Sequence, residues 1–428
     1  MSITPRAVYE RRLAGHEAMF VESGTPMVLC HSLGGPVDRE VLDESLRVLA
    51  GVHPVLTARC RPGPDGPLLR CHPAAPPRLR TGTDFAAATA PFAPGAPMVR
   101  ATLLDQPGGD RLFVLCVHHA IADGVSALSA LAQLWEICTA RITGRTPRLP
   151  PATDGLPHPV EPYFRRKVTR RDLDGFLARR AARARALSPL CLPAEAAGTG
   201  TGTGTDGPAR GVHVRRVALD REQTARLVRT ARDSGISTHS LACGLVLTAV
   251  RDVAGDAPGV QTLTCTSALD VRRRLVPPLP AHRVVMAAAA LETHVPVASA
   301  DDPVRVGRLV RERMRAAVRS GELDLSVAAL PHLAAQALSR GPALPMSVAV
   351  TDLTAHTPAL PMPPELSASV PWGYVEVHGP VPVVALTGDH SSGLGLTLAL
   401  PRAFFTAGQA QRLAGALHRT TRRALGAP

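Results

Sequence analysis

Short apolar runs of the kind that form buried strands alternate along this chain with stretches whose apolar residues recur every three or four positions, as in amphipathic helices. Pro26 to Leu33 predicts a strand. Asp38 then stands where a helix cap belongs, ahead of Leu42, Leu46 and Leu49 on one face, with Gly51 and Pro54 to end the helix. Arg111 to Val117 predicts a buried strand, and Val125, Leu128, Leu131, Leu134, Trp135 and Cys138 follow it at helical spacing. Asp220, with Gln223 three residues on, marks another helix start, and Thr238 is read as the cap of a helix reaching Val250. Strands are expected at Gln261 to Ser267, Met346 to Thr351, Trp372 to His378, Val381 to Thr387 and Leu394 to Leu400. Helices are expected from Val304 to Arg319 and from Gln409 to about Leu425.

The two periodicities occur in both halves of the chain, so each half reads as an α/β sandwich, a sheet with helices laid on it. A run of alternating Gly and Thr, Gly198 to Gly207, separates them. No lysine follows it to make a phosphate loop, and its composition predicts a linker or loop. The expected division is 1–197, a linker at 198–211, and 212–428.

Composition narrows the function classes. The 428 residues have a formal charge of +13, yet Lys167 is the one lysine and aromatic residues make up only 3%. Scattered arginines with few stacking rings argue against a nucleic-acid protein and leave open a basic face for an acidic partner. The eight cysteines form no Cys-x-x-Cys pair, and Cys30, Cys116, Cys243 and Cys265 sit in apolar runs, as reduced core cysteines do. No apolar signal region opens the chain and no apolar stretch reaches membrane-spanning length, so a cytoplasmic protein with no membrane partner is expected.

The chemistry concentrates in His118-His119-Ala120-Ile121-Ala122-Asp123-Gly124, at the junction of the predicted strand and helix. Such a junction can present a side chain from a rigid scaffold. Successive strand residues face opposite ways, so His118 and His119 cannot share one task. The same divergence argues against a metal held by His118, His119 and Asp123, and no metal is expected. Histidine suits proton transfer near neutral pH. Asp123 can orient an imidazole or pair with an arginine distant in sequence to pin the loop, and Gly124 permits a tight turn. Without a Gly-x-Ser-x-Gly elbow or an evident cysteine nucleophile, direct attack by a deprotonated acceptor is the expected route.

The motif resembles the signature of the CoA-dependent, condensation-domain-like acyltransferase superfamily, which includes chloramphenicol acetyltransferase, condensation domains and polyketide-associated acyltransferases. Other segments are similar in order: Val52-His53-Pro54-Val55-Leu56; Leu269-Asp270-Val271-Arg272 with Pro277-Pro278; and Thr351-Asp352-Leu353-Thr354 followed by Pro361-Met362-Pro363-Pro364, which resembles phthiocerol dimycocerosyl transferases. The resemblance implies two chloramphenicol-acetyltransferase-like halves in a V-shaped pseudo-dimer with a tunnel between them. It implies His119 as the base, Asp123 as mainly structural, Arg272 as its partner, and Arg315 on the basic helix as a carrier-docking residue. An Asp-Phe-Gly-Trp-Gly strand typical of condensation domains is missing, and His282-Arg283 stands where the family has an Asn.

The expected function is therefore transfer of an acyl group from a carrier-protein or CoA thioester to a hydroxyl, forming an ester, in bacterial polyketide or lipid metabolism. The expected partners are that donor and a small alcohol or amine acceptor, with no cofactor beyond the thioester's own phosphopantetheine or CoA, in a monomer. The rivals are a free-standing amide-forming condensation enzyme and a non-catalytic module that recruits carrier proteins. Three further features have simpler readings: His31 as a core or rim histidine, Trp372 as core packing, and Asp389-His390-Ser391-Ser392 as a hairpin turn.

Overall fold

The strands and helices expected around the histidine motif are present in the computed structural model, which describes all residues except 1–8, 65, 196–210, 256, 341–345, 377–378 and 427–428. The Gly/Thr run lies outside the described residues. Contacts divide the chain into two units, one of residues 1–160, 272–287 and 356–373, the other of 161–271, 288–355 and 374–428. This division is not by chain order. Residues 161–195 pack with the second unit, while 272–287 and 356–373 return to the first.

In the first unit, helix α1 (Gly15–Ser23) precedes strand β1 (Pro26–Gly34) and helix α2 (Arg39–Val52). Asp38 caps α2, accepting the amides of Glu40 and Val41, and Leu42, Leu46 and Leu49 are buried. Strands β2 (Leu79–Gly82), β3 (Val99–Asp105) and β4 (Arg111–His118) follow, then the long helix α3 (Gly124–Ile142). The sheet order is Ser367–Ala368, β1, β4, β3, β2. Strand β4 is central and antiparallel to both neighbours, with Pro26 opposite His118 and Val99 opposite Val117. A strand with sheet on both sides is hydrophobic on both faces, and Leu112 through His118 are all buried. The rigid strand therefore ends on the two histidines.

In the second unit, helix α4 (Arg170–Ala186) and strand β5 (Val212–Leu219) lead to helices α5 (Arg221–Asp233) and α6 (Thr238–Val253). Next come strands β6 (Gln261–Asp270) and β7 (Ala288–Val297), helix α7 (Pro303–Arg319), strands β8 (Val348–Asp352), β9 (Val383–Asp389) and β10 (Gly393–Pro401), and helix α8 (Ala407–Ala424). The sheet order is β7-β6-β8-β9-β10-β5, with β8 parallel to both β6 and β9. Helices α6 and α7 cross at two glycines. A Cβ on Gly244 would lie 2.0 Å from the Pro303 carbonyl oxygen, and one on Gly307 would lie 2.7 Å from that of Ser240. Larger residues there would force the helices apart.

Several boundaries differ from expectation. Ser237, not Thr238, caps α6, because its hydroxyl is the one that accepts the Ser240 amide. The strand expected from Met346 starts at Val348, and that at Trp372 ends at Val375, with Val377 and His378 outside the described residues. Asp389 accepts the amides of Ser391 and Ser392 at 2.6 and 2.9 Å in the turn that joins β9 to β10. Trp372 is a core residue, stacked on Phe85 with ring centroids 6.2 Å apart. Each unit is thus an α/β sandwich.

Candidate active site

The two histidines at the end of β4 face different surroundings. His118 is buried, its Nδ1 accepts the Ala120 amide at 3.1 Å, and its ring lies against Phe92, centroids 5.2 Å apart. Because Nδ1 is an acceptor, neutral His118 carries its proton on Nε2. Burial, with His119 beside it, pushes its pKa down to about 3.

His119 is partly exposed and has the opposite tautomer. Its backbone amide donates to Thr25 O at 3.0 Å, and its Nδ1 lies 2.9 Å from the Ala122 carbonyl oxygen. A carbonyl can only accept, so Nδ1 holds the proton and the lone pair is on Nε2, which makes no hydrogen bond to a described residue. One ring face is covered by Phe20, at 4.3 Å between centroids and 32° between planes. Burial lowers the His119 pKa; the Ala122 carbonyl and the Asp123 charge pull it back up, and His16 opposes them. The result is a neutral imidazole with an available Nε2, the form a general base requires.

Asp123 does not touch Nδ1 of His119. It caps α3 through Ser126 N at 2.9 Å and forms a forked pair with Arg272, Oδ2 with Nη1 at 2.7 Å and Oδ1 with Nη2 at 2.9 Å. The Ala287 amide fills the remaining position on Oδ2 at 2.9 Å. Arg272 Nη2 also donates to Ser126 Oγ at 2.7 Å and to Val285 O at 3.1 Å. Both charged side chains are almost wholly buried, at 2% and 3% exposure, and the bidentate geometry is what such a pair needs. Of the two roles open to Asp123, pairing with an arginine distant in sequence is the one this geometry has. Gly124 takes the first position of α3 without a positive φ, so no special backbone conformation is used there.

His31 lies outside this site. It is fully buried in β1, accepts Trp135 Nε1–H at 2.9 Å, and burial holds its pKa at about 3. Arg315 is exposed on α7 in the second unit. Sequence reasoning passed over Phe20, Phe92, Ser126 and the carbonyl of Ala122. Of these, only Ser126 had a signal, as a small polar residue inside the apolar stripe of α3. Among the described residues, no group of three or more His, Cys, Asp or Glu side chains could hold a metal, and no helix is long and apolar enough to cross a membrane.

Residues 208–392 match the family model described as phthiocerol/phthiodiolone dimycocerosyl transferase C-terminus. Among curated proteins, the chain is similar to a phthiocerol/phthiodiolone dimycocerosyl transferase of Mycobacterium ulcerans (strain Agy99), 25% identical over 275 residues. The match spans 63% of each chain. Among solved structures, polyketide synthase associated protein 5 from Mycobacterium tuberculosis superposes with a TM-score of 0.72 at 19% identity, covering 96% of this chain and 98% of that one. The trichothecene 15-O-acetyltransferase of Fusarium sporotrichioides gives 0.74 at 12% identity, covering 98% and 95%. The first condensation domain of the calcium-dependent antibiotic synthetase gives 0.65 at 18%, covering 97% of both. The resemblance read from the motifs is borne out, and at these identities the solved structures establish the fold alone.

Proposed function

We propose that the protein is an acyltransferase that moves an acyl group from a thioester to a hydroxyl, with His119 as general base. The observation that carries this reading is the state of His119: proton on Nδ1, held by the Ala122 carbonyl, and a lone pair on Nε2 of a partly exposed ring. Nε2 takes the proton of the acceptor hydroxyl as its oxygen attacks the thioester carbonyl. The tetrahedral intermediate then expels the thiolate, which recovers that proton from the imidazolium, leaving ester and free thiol. The thioester brings its own activation, so the reading needs no added cofactor. The curated relative's name, a dimycocerosyl transferase, supports an ester product and a donor from polyketide or lipid synthesis.

The donor side of the reading places a carrier protein on helix α7. Val306, Val310 and Ala317 are buried, while Arg305, Arg308, Arg313, Arg315 and Arg319 are exposed. Arg305 is tied to Asp301 at 2.9 Å, whereas Arg315 makes no ion pair among the described residues and keeps its charge for an acidic partner.

The deciding experiment replaces the base. His119→Ala should lower turnover of acyl thioesters by about 10²–10⁴-fold with the fold intact by circular dichroism, as loss of a general base does. His118→Ala should cost less turnover, since its Nδ1 is occupied by a backbone amide. Near-normal turnover by His119→Ala sinks the reading.

A further inference from the structure

Helix α1 closes one side of His119. His16 and Phe20 are four residues apart, on one helical face; His16 is buried and Phe20 lies on the imidazole. The helix is pinned at both ends. At its start, the Ala14 amide donates to Glu17 Oε2 at 2.7 Å, and Glu17 is paired with Arg11, also at 2.7 Å. At its end Gly24 has φ +64°, and a Cβ there would come within 2.4 Å of the Phe92 carbonyl oxygen. The Phe92 amide returns a hydrogen bond to Gly24 O at 2.8 Å, and the next carbonyl, Thr25 O, accepts the His119 amide at 3.0 Å. Two rings, Phe20 on His119 and Phe92 on His118, are therefore set by one short turn.

We propose that Phe20 is a positioning residue for the His119 base, holding the plane of the imidazole so that Nε2 keeps one direction. The proposal rests on the reading of His119 as base. The torsion between Cβ and an imidazole is broad and roughly two-fold, so it does not fix the ring by itself. The Nδ1 bond to Ala122 restrains one edge of the ring. A flat surface against its face is the second restraint needed to stop tilting about that bond. Proton transfer is sensitive to such tilting, since a misplacement of about 1 Å can cost about 10²-fold in rate.

The test compares Phe20→Ala, Phe20→Leu and Phe20→Tyr in turnover of short, medium and long acyl-CoA thioesters with a primary alcohol as acceptor. Nitrogen-15 NMR of the histidines is recorded in parallel. Phe20→Ala should lower kcat by about 10²-fold with KM nearly unchanged. Tyrosine should restore kcat and leucine should not, because leucine fills the space without a flat face. In the spectra, His119 should show a single protonated Nδ1 in the wild type and in Phe20→Tyr, and averaged nitrogen signals in Phe20→Leu. Leucine and tyrosine performing alike, or unchanged His119 nitrogen signals in Phe20→Leu, overturns the proposal. Should His119→Ala retain turnover, the base reading fails instead, while the spectra still decide whether Phe20 orders the ring.

Discussion

Replacing Asp123 with asparagine removes a charge with little change of shape, and its cost can be worked out bond by bond. Oδ1 accepts Ser126 N and Arg272 Nη2; Oδ2 accepts Arg272 Nη1 and Ala287 N. An asparagine must put its NH2 group at one of these two places, where it meets two donors whichever way it is turned. Arg272, 1% exposed, loses the carboxylate onto which its guanidinium forks. Removing one member of a buried pair typically costs about 3–5 kcal/mol. At about 2–4 °C per kcal/mol for a cooperative unit near 200 residues, the melting temperature should fall by roughly 6–20 °C. Because Nδ1 of His119 bonds to Ala122 and not to Asp123, activity at low temperature should fall only as far as the loosened turn lets the Ala122 carbonyl drift from the ring. Calorimetry beside turnover measured well below the transition makes the comparison. An Asp123→Asn protein of unchanged melting temperature but without activity would refute the argument and return Asp123 to an orienting role on the imidazole.

Acid should destabilise the fold through its buried histidines. His31 and His118 have folded pKa values of about 3, against about 6.5 in the unfolded chain, so the folded state favours their neutral forms. Their contribution is present above pH ~6.5 and is lost as pH falls from there toward ~3. Each loses about 2 kcal/mol by pH ~5, whatever its folded value so long as that lies below ~4. Urea midpoints at about pH 7.5 and pH 5 measure this, and an unchanged midpoint would contradict it. On the donor side, exposed charges are screened over about 8 Å at physiological salt, so added salt should slow transfer from a carrier-bound donor but not from a small thioester. Arg315→Glu should reproduce that selective loss, and an unchanged rate with the carrier-bound donor takes Arg315 off the docking face.

The elements around the motif were readable because their signals are strong and local. A β-rich run ends in two histidines, Gly124 follows where a turn is permitted, and apolar residues repeat at helical spacing through α3. Helix α4 was not readable: six arginines crowd it, and only Leu173 and Phe176 are buried. Strand β7 has Glu, His and Pro on its half-exposed positions, which hides its alternation in a search for apolar runs. In the site, Arg272 stands in a run of three arginines, and composition cannot tell which one turns inward; its partnership with Asp123 came from the resemblance. The tautomer of His119 depends on a backbone carbonyl, which every residue has, so no residue type could announce it. The division of the chain at 272–287 and 356–373 is set by packing among residues far apart in sequence.

The spacing of the motif then has a physical account. The chain must leave β4 at His119 and enter α3 at Gly124, and in the residues between it turns far enough to bring the Ala122 carbonyl back under the imidazole it has just passed. Such a turn keeps its shape only if the helix start is fixed. Asp123 does this twice, by capping α3 and by its forked pair with Arg272. The carboxylate therefore governs the His119 imidazole at one remove: it fixes the backbone, the backbone presents a carbonyl, and the carbonyl fixes the proton on Nδ1. A carboxylate bonded directly to Nδ1 would stabilise the imidazolium more strongly and raise its pKa. A carbonyl sets the same tautomer with less charge stabilisation, and burial of the ring then leaves His119 neutral, its pKa below the ordinary histidine value. Such an imidazole suits the proposed reaction, in which the proton taken from the acceptor must soon be given up to a departing thiolate.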